Sequence, residues 1–188
     1  TVGRYANRIA GARLVLDGRP VELVPNEGPN QLHGGPEGFH LRVWTLVDRG
    51  AGPAGGHVTL ALTSVDGDQG FPGTVRAEVT YRLDGPVLTI DHRATTDAVT
   101  VVNLCNHAYW NLDGGGSVRD HRLAVAAERY LPVDAAGIPT GGLAPVAGTP
   151  FDLRRSPQVG DVVAATGGLD HSYAVAPDAA SMGRVAPV

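Results

Sequence analysis

Lysine is missing from this chain: all fifteen residues in the Lys+Arg count are arginines. Schiff-base chemistry and lysine general-base chemistry are therefore excluded. Cysteine is nearly missing too. The single one, Cys105, forbids an internal disulfide and fits a reducing compartment. No apolar run is long enough to cross a membrane as a helix. No signal-peptide pattern is visible either, so the expected location is the cytoplasm and no membrane partner is expected. The net charge is −4 with no basic block, which argues against a nucleic-acid partner. The chain has no Gly-x-Gly-x-x-Gly, P-loop or Gly-x-Ser-x-Gly elbow. Its seven histidines include no His-x-His or His-Glu-x-x-His pair. Asp91-His92 and Asp120-His121 read as solvated strand ends, and no metal site is expected.

What is present is short-period β patterning. The length of 188 residues suits one domain with a sizeable core, and 43% hydrophobic against 18% charged content is globular. Val75 to Leu83 alternates apolar and polar without a fault, which predicts a half-buried strand. Val58, Leu60 and Leu62 alternate with Thr59, Ala61 and Thr63 in the same way. Leu14-Val-Leu16, Asp17-Gly18 and Val21-Glu-Leu23 predict a hairpin with a tight turn. Shorter strands are expected at Val87–Ile90, Val99–Val102 and Leu123–Val125. Turn signals such as Asp66-Gly67, Asp84-Gly-Pro86 and Asp113-Gly-Gly-Gly116 separate them. No helix of three or more turns is expected. The fold class read from this pattern is all-β, an antiparallel β-sandwich or barrel, as one domain over residues 1–188.

Chemistry concentrates in Asn103-Leu-Cys-Asn-His-Ala-Tyr-Trp-Asn-Leu112. His107 can donate and accept protons near neutral pH, since an ordinary imidazole titrates at roughly 6.5. A lone histidine is more often a structural residue satisfied by backbone. The amides Asn103, Asn106 and Asn111 and the rings Tyr109 and Trp110 around it favour a sugar site. His33 sits in the glycine-rich stretch Gly28 to Gly35, where a ligand can approach the backbone closely. Asn7 and Arg8 offer groups for hydroxyls or an anion, although arginines in such places are commonly surface ion pairs. Asp170, in Gly168-Leu-Asp-His-Ser-Tyr173, can accept from two vicinal hydroxyls, but an Asp after Gly-Gly is also an ordinary turn residue.

Taken in order, these motifs resemble the aldose 1-epimerase (galactose mutarotase) family. The resemblance rests on Gly3-Arg-Tyr-Ala-Asn-Arg-Ile9, Asn30-Gln-Leu-His-Gly-Gly35 with Gly38-Phe39 and Trp44, and Asp66-Gly-Asp-Gln-Gly-Phe-Pro-Gly73. It continues through Asn103–Leu112, Tyr130-Leu-Pro-Val-Asp134 with Ile138-Pro-Thr-Gly141, Gly148-Thr-Pro-Phe-Asp152 and Leu169-Asp-His171. It implies a galactose mutarotase-like supersandwich, here expected to be partial at both ends. It implies interconversion of the α and β anomers of free aldohexoses such as galactose or glucose. In the family a histidine protonates the ring oxygen and a glutamate takes the proton of the anomeric hydroxyl. His107 matches the proton donor. Asn7, Arg8, His33, Tyr109 and Asp170 match substrate-contacting positions. The resemblance implies no cofactor, a small-molecule sugar as partner, and a monomer when complete.

The resemblance leaves out the base. Family members are longer, and their catalytic glutamate falls in a segment beyond Val188. Glu22, Glu27, Glu37, Glu78 and Glu128 are the glutamates here, and none sits in that motif. Ala180 to Arg184 reads as the start of a strand that precedes it. The alternative to an enzyme is a carbohydrate-binding or regulatory β-sandwich without a general base. A sugar-phosphate epimerase would want more arginines at the site, and a glycoside hydrolase two opposed carboxylates.

Overall fold

The structure, a computed structural model, describes residues 1–175; the strand start expected at residues 180–184 lies outside them. The chain forms two compact units, Thr1–Ala108 and Tyr109–Val188.

The first unit is built on a four-stranded antiparallel sheet of β5 (Thr45–Gly52), β6 (Gly55–Ser64), β7 (Val75–Asp84) and β8 (Val87–Thr96), in that spatial order. The fault-free alternation of β7 explains its place. Val75, Ala77 and Val79 all point to one face and are essentially fully buried. In-register neighbours Leu62↔Ala77 and Ala77↔Ala94 share that face, and Phe39, Trp44 and Leu104 pack on it. Each buried valine contributes about 1.5–3 kcal/mol by leaving water. The opposite face carries the polar partners: Thr59 and Thr80 are hydrogen-bonded through their hydroxyls at 2.9 Å, and Arg76 pairs with Glu78.

A hairpin of β2 (Arg13–Leu16) and β3 (Arg19–Glu22) turns at Asp17 and Gly18, both with positive φ (47° and 75°). That geometry matches the right-handed strand twist, as the Asp-Gly signal anticipates. Leu14 and Val21 pack on a second core of Ala12, Leu23 and Phe71. A short pair, β1 (Arg8–Ile9) with β4 (Gln31–Leu32), sets Arg8 opposite Leu32.

Arg4 pins these parts together from inside. It is 1% exposed, and its guanidinium donates to the carbonyls of Ser64, Val65, Pro72 and Gly73 and to the Ser64 hydroxyl. Its charge centre lies 5.5 Å from the Phe71 ring centroid. Ser64 in turn donates to Asp68, which also accepts from Arg42 at 2.6 Å. Burial pulls the Arg4 guanidinium below its ordinary range, opposed by Asp68 and Asp66.

In the second unit, β9 (Ala127–Tyr130) lies between β10 (Ala144–Pro145) and β11 (Tyr173–Val175), both antiparallel to it. One helix, α1 (Val159–Thr166), is about two turns long and ends at Gly167 in the left-handed region (φ 76°).

Two expected strands are absent as ladders. Val99–Val102 is not a strand; pairing begins only at Asn103 and Cys105, as isolated bridges to Tyr5 and Val2. Val101 instead packs into the Phe71 core, so its apolar character reports burial without a ladder. Leu123–Val125 is likewise irregular. Leu123 donates to Pro157, a residue with no N–H to return, so the ladder cannot propagate.

Candidate functional site

The strand–loop frame of the first unit brings four of the six expected site residues onto one framework. Arg8 stands opposite Leu32 in the β1–β4 pair, so the residue after Leu32, His33, follows directly from this register. His33 donates its backbone N–H to the carbonyl of Asn7 at 3.1 Å. In return the Asn7 N–H donates to His33 Nδ1 at 3.0 Å. A backbone N–H can only donate, so Nδ1 is the acceptor and the neutral ring carries its proton on Nε2. His33 is thus oriented as an Nε2–H donor. Both residues adopt positive φ, 70° at Asn7 and 55° at His33. For non-glycine residues this conformation is costly and held only by surrounding contacts.

Gly34 supplies one such constraint. A Cβ there would lie 2.0 Å from the Gly3 carbonyl oxygen and 2.6 Å from the Arg4 nitrogen. The His33 loop therefore rests directly on the backbone of the segment that carries Asn7 and Arg8.

His107 meets His33 edge to face, with ring centroids 5.0 Å apart and an interplanar angle of 83°. His40 approaches His33 from another side at 6.4 Å and 79°. Burial holds the His40 imidazole below its ordinary range, and its neighbour His107 adds to the effect. His40 was not anticipated from sequence, where only the preceding Gly38-Phe39 was singled out.

The amides do not play the expected part. Asn103 donates to the Ala6 carbonyl at 3.3 Å. Asn106 accepts from the Ala108 N–H at 2.9 Å, closing a turn around His107. Asn111 accepts from the Asp113 N–H and donates to the Gly116 carbonyl. Asn103 ties the chain back to Ala6, and Asn106 sets the turn from which His107 projects while donating to the Tyr81 hydroxyl at 3.5 Å.

Arg8 is held by Glu27. Its Nε donates to Glu27 Oε2 at 2.6 Å and its Nη2 to Oε1 at 2.8 Å, a two-point fork. The hydrogen bonds from Arg8 hold the Glu27 carboxyl below the usual carboxylate range. Glu27 was read only as a glutamate outside the expected motif, and its partnership is visible only in three dimensions. Every other glutamate is also ion-paired: Glu22 with Arg13, Glu37 with Arg42, Glu78 with Arg76 and Glu128 with Arg154.

The remaining two expected residues belong to the second unit. Tyr109 is 88% exposed. Asp170 is exposed and lies between the C-cap of α1 and β11. Its neighbour His171 packs on Phe151 (4.3 Å between centroids), and Phe151 stacks on Tyr130 (4.6 Å, 28°). The Tyr173 hydroxyl donates to the Phe151 carbonyl at 3.1 Å. This aromatic cluster anchors the stretch that presents Asp170. Among the described residues no cluster of three or more His, Cys, Asp or Glu could hold a metal ion, and no helix is long and apolar enough to cross a membrane.

The sequence and the fold are similar to those of one family. A family model described as aldose 1-epimerase matches residues 1–186. The aldose 1-epimerase of Escherichia coli (strain K12) is 52% identical over 158 residues, covering 83% of this chain and 44% of that protein. The galactose mutarotase of Sus scrofa is 43% identical over 178 residues, covering 92% of this chain and 50% of that protein. Among solved structures, galactose 1-epimerase from Lactobacillus acidophilus NCFM superposes with a TM-score of 0.87 at 33% identity, covering 96% of this chain and 55% of that one. An aldose epimerase homologue from C. elegans gives 0.85 at 36% identity with the same coverages. The chain spans about half the length of the relatives it matches. These neighbours and the antiparallel ladders bear out the all-β, galactose mutarotase-like sandwich class.

Proposed function

The chain belongs to the aldose 1-epimerase family, and from that premise we propose that it carries the acid side of a mutarotase site for free aldohexoses. The observation that supports this most is the contact between His107 and a His33 whose tautomer is fixed by the Asn7 amide. Two adjacent imidazoles could divide the work of acid and hydrogen-bond donor in either way. Because His33 Nδ1 accepts from the main chain, His33 serves as an Nε2–H donor, and His107 is the group that delivers a proton to the sugar ring oxygen.

In the proposed reaction His107 protonates the ring oxygen while a base removes the proton of the anomeric hydroxyl. The bond from C1 to the ring oxygen breaks and C1 becomes a carbonyl. Rotation about C1–C2 turns its other face, and the reverse steps close the ring. On the first unit Arg8 and Asn7 would bind hydroxyls; on the second, Tyr109 and Asp170 are read as sugar-contacting residues from the family resemblance. None of the five glutamates suits the role of base: each is engaged by an arginine, and hydrogen bonds from Arg8 hold Glu27 below the usual carboxylate range. The 188-residue chain itself therefore reads as a sugar-binding half-site with little turnover.

Two measurements test this. Titration of D-galactose into the labelled chain is expected to shift the His33 and His107 ring signals, and unchanged spectra at saturating sugar would refute the assignment. Polarimetric decay of fresh α-D-galactose is expected to run near the buffer rate. A missing general base typically costs ~10²–10⁴-fold, so a fast decay would show that a base is present.

A further inference from the structure

We propose that Glu27 is a positioning residue of this site: it fixes the plane of the Arg8 guanidinium, the group read above as binding sugar hydroxyls. The inference rests on the sugar-site reading given above and adds a residue to it.

Three observations carry it. First, the fork uses both carboxylate oxygens and two different guanidinium nitrogens, at 2.6 and 2.8 Å. Two parallel N–H···O bonds fix orientation as well as distance, where a single contact would leave Arg8 free to rotate about it. Second, Glu27 is itself fixed. Its backbone exchanges hydrogen bonds with Asn30 at 3.1 and 3.0 Å. The preceding Asn26 clamps Leu32 from both sides, accepting from its N–H at 2.7 Å and donating to its carbonyl at 2.9 Å. Third, Leu32 is the register partner of Arg8. Arg8, Leu32, Asn26 and Glu27 thus close a ring of contacts that returns to its start, with His33 as the next residue along the chain. The pair is only partly exposed, with Arg8 at 19% of its side-chain surface and Glu27 at 36%.

The competing explanation is a surface ion pair, which contributes little to stability and nothing to binding. The two differ in what a substitution moves. For the whole chain, galactose affinity is measured by titration for wild type, Glu27→Gln, Arg8→Ala and the double variant. Circular dichroism confirms folding, and the Arg8 Nε–H resonance reports the fork directly. Glu27→Gln keeps the shape and is expected to weaken galactose binding on the order of tenfold, with the Arg8 Nε–H signal shifted and exchanging faster. Glu27→Asp, with a shorter reach to the same charge, is expected to recover part of that loss. In the Arg8→Ala background Glu27→Gln is expected to add nothing, because its effect passes through Arg8. Wild-type affinity in a folded Glu27→Gln chain overturns the proposal alone. So does a further loss in the Arg8→Ala background. A wild-type chain whose His33 and His107 signals ignore galactose overturns the sugar reading instead, and the Glu27 proposal falls with it.

Discussion

Replacing Gly34 with alanine should damage the fold and the site together, and the size of the effect can be worked out in advance. At Gly34 φ is +85°, and an added Cβ would stand 2.0 Å from Gly3 O, 2.4 Å from Gly3 C and 2.6 Å from Arg4 N. All three atoms are main chain, so no rotamer change relieves the clash. The left-handed conformation costs a Cβ-bearing residue about 1–2 kcal/mol. Overpacking typically adds about 1–3 kcal/mol. Together they give about 2–5 kcal/mol, or a Tm lower by about 4–20 °C at ~2–4 °C per kcal/mol for a chain of this size. Gly18→Ala is the control. Its φ is +75°, but nothing lies within 4 Å of the added Cβ. It should therefore carry the conformational cost alone, about 1–2 kcal/mol. Thermal unfolding by far-UV circular dichroism measures both. In Gly34→Ala the nitrogen signals of His33 should also show a mixed tautomer, because the loop must move off Gly3 and the Asn7 bond with it. Equal losses for the two variants would refute the claimed contact between the His33 loop and the Gly3–Arg4 backbone.

Other expectations follow from the same contacts. Arg4→Met should lower the urea midpoint by an amount equivalent to about 3–5 kcal/mol, because it strips a buried donor set from four carbonyls and the Ser64 hydroxyl; a midpoint shift below 1 kcal/mol (about 0.5–1.5 is an ordinary single hydrogen bond) would show the network to be incidental. Asp152 is held down to about 2 by hydrogen bonds from Arg154. Its folded value is depressed, so its contribution is present above the ordinary carboxylate range, about 3.9, and is lost as pH falls from there toward 2. Acid unfolding curves of Asp152→Asn should be flatter than wild type across that window, and identical curves would count against the pair. His40 is shifted in the same direction, but by burial and not by an ion pair. Its charged form is disfavoured in the fold, so stability should decline as pH falls below about 6.5, and His40→Gln should remove that part of the slope.

The sheet was legible because its signal is local. Val75 to Leu83 alternates on its own, and the fold merely supplies the apolar partners that β7 needs. The Asp17-Gly18 turn was equally plain, since positive φ at both positions selects those residue types. Val99–Val102 misled because apolar character records burial and does not say whether a ladder forms. The asparagines misled for a related reason. An amide at a strand end can face a ligand or its own backbone, and only the tertiary path of the chain decides. Arg4 and Arg8 make the point most sharply. They share one motif, four residues apart, yet one is sealed inside on main-chain carbonyls and the other is held by a glutamate nineteen positions on. Nothing in Gly3–Ile9 distinguishes them. The paired glutamates were equally hidden, which is why Glu27 could be listed from sequence without a role.

The hydrogen bond from the Asn7 amide to His33 has a bearing on how this site tolerates change. The proton location on His33 is dictated by a main-chain group, which every residue except proline provides. Side-chain drift at position 7 therefore leaves the imidazole's chemistry untouched so long as the left-handed turn survives, which favours asparagine or glycine there. Inheritance at that position therefore acts on a torsion angle as well as on the amide that would meet a sugar hydroxyl.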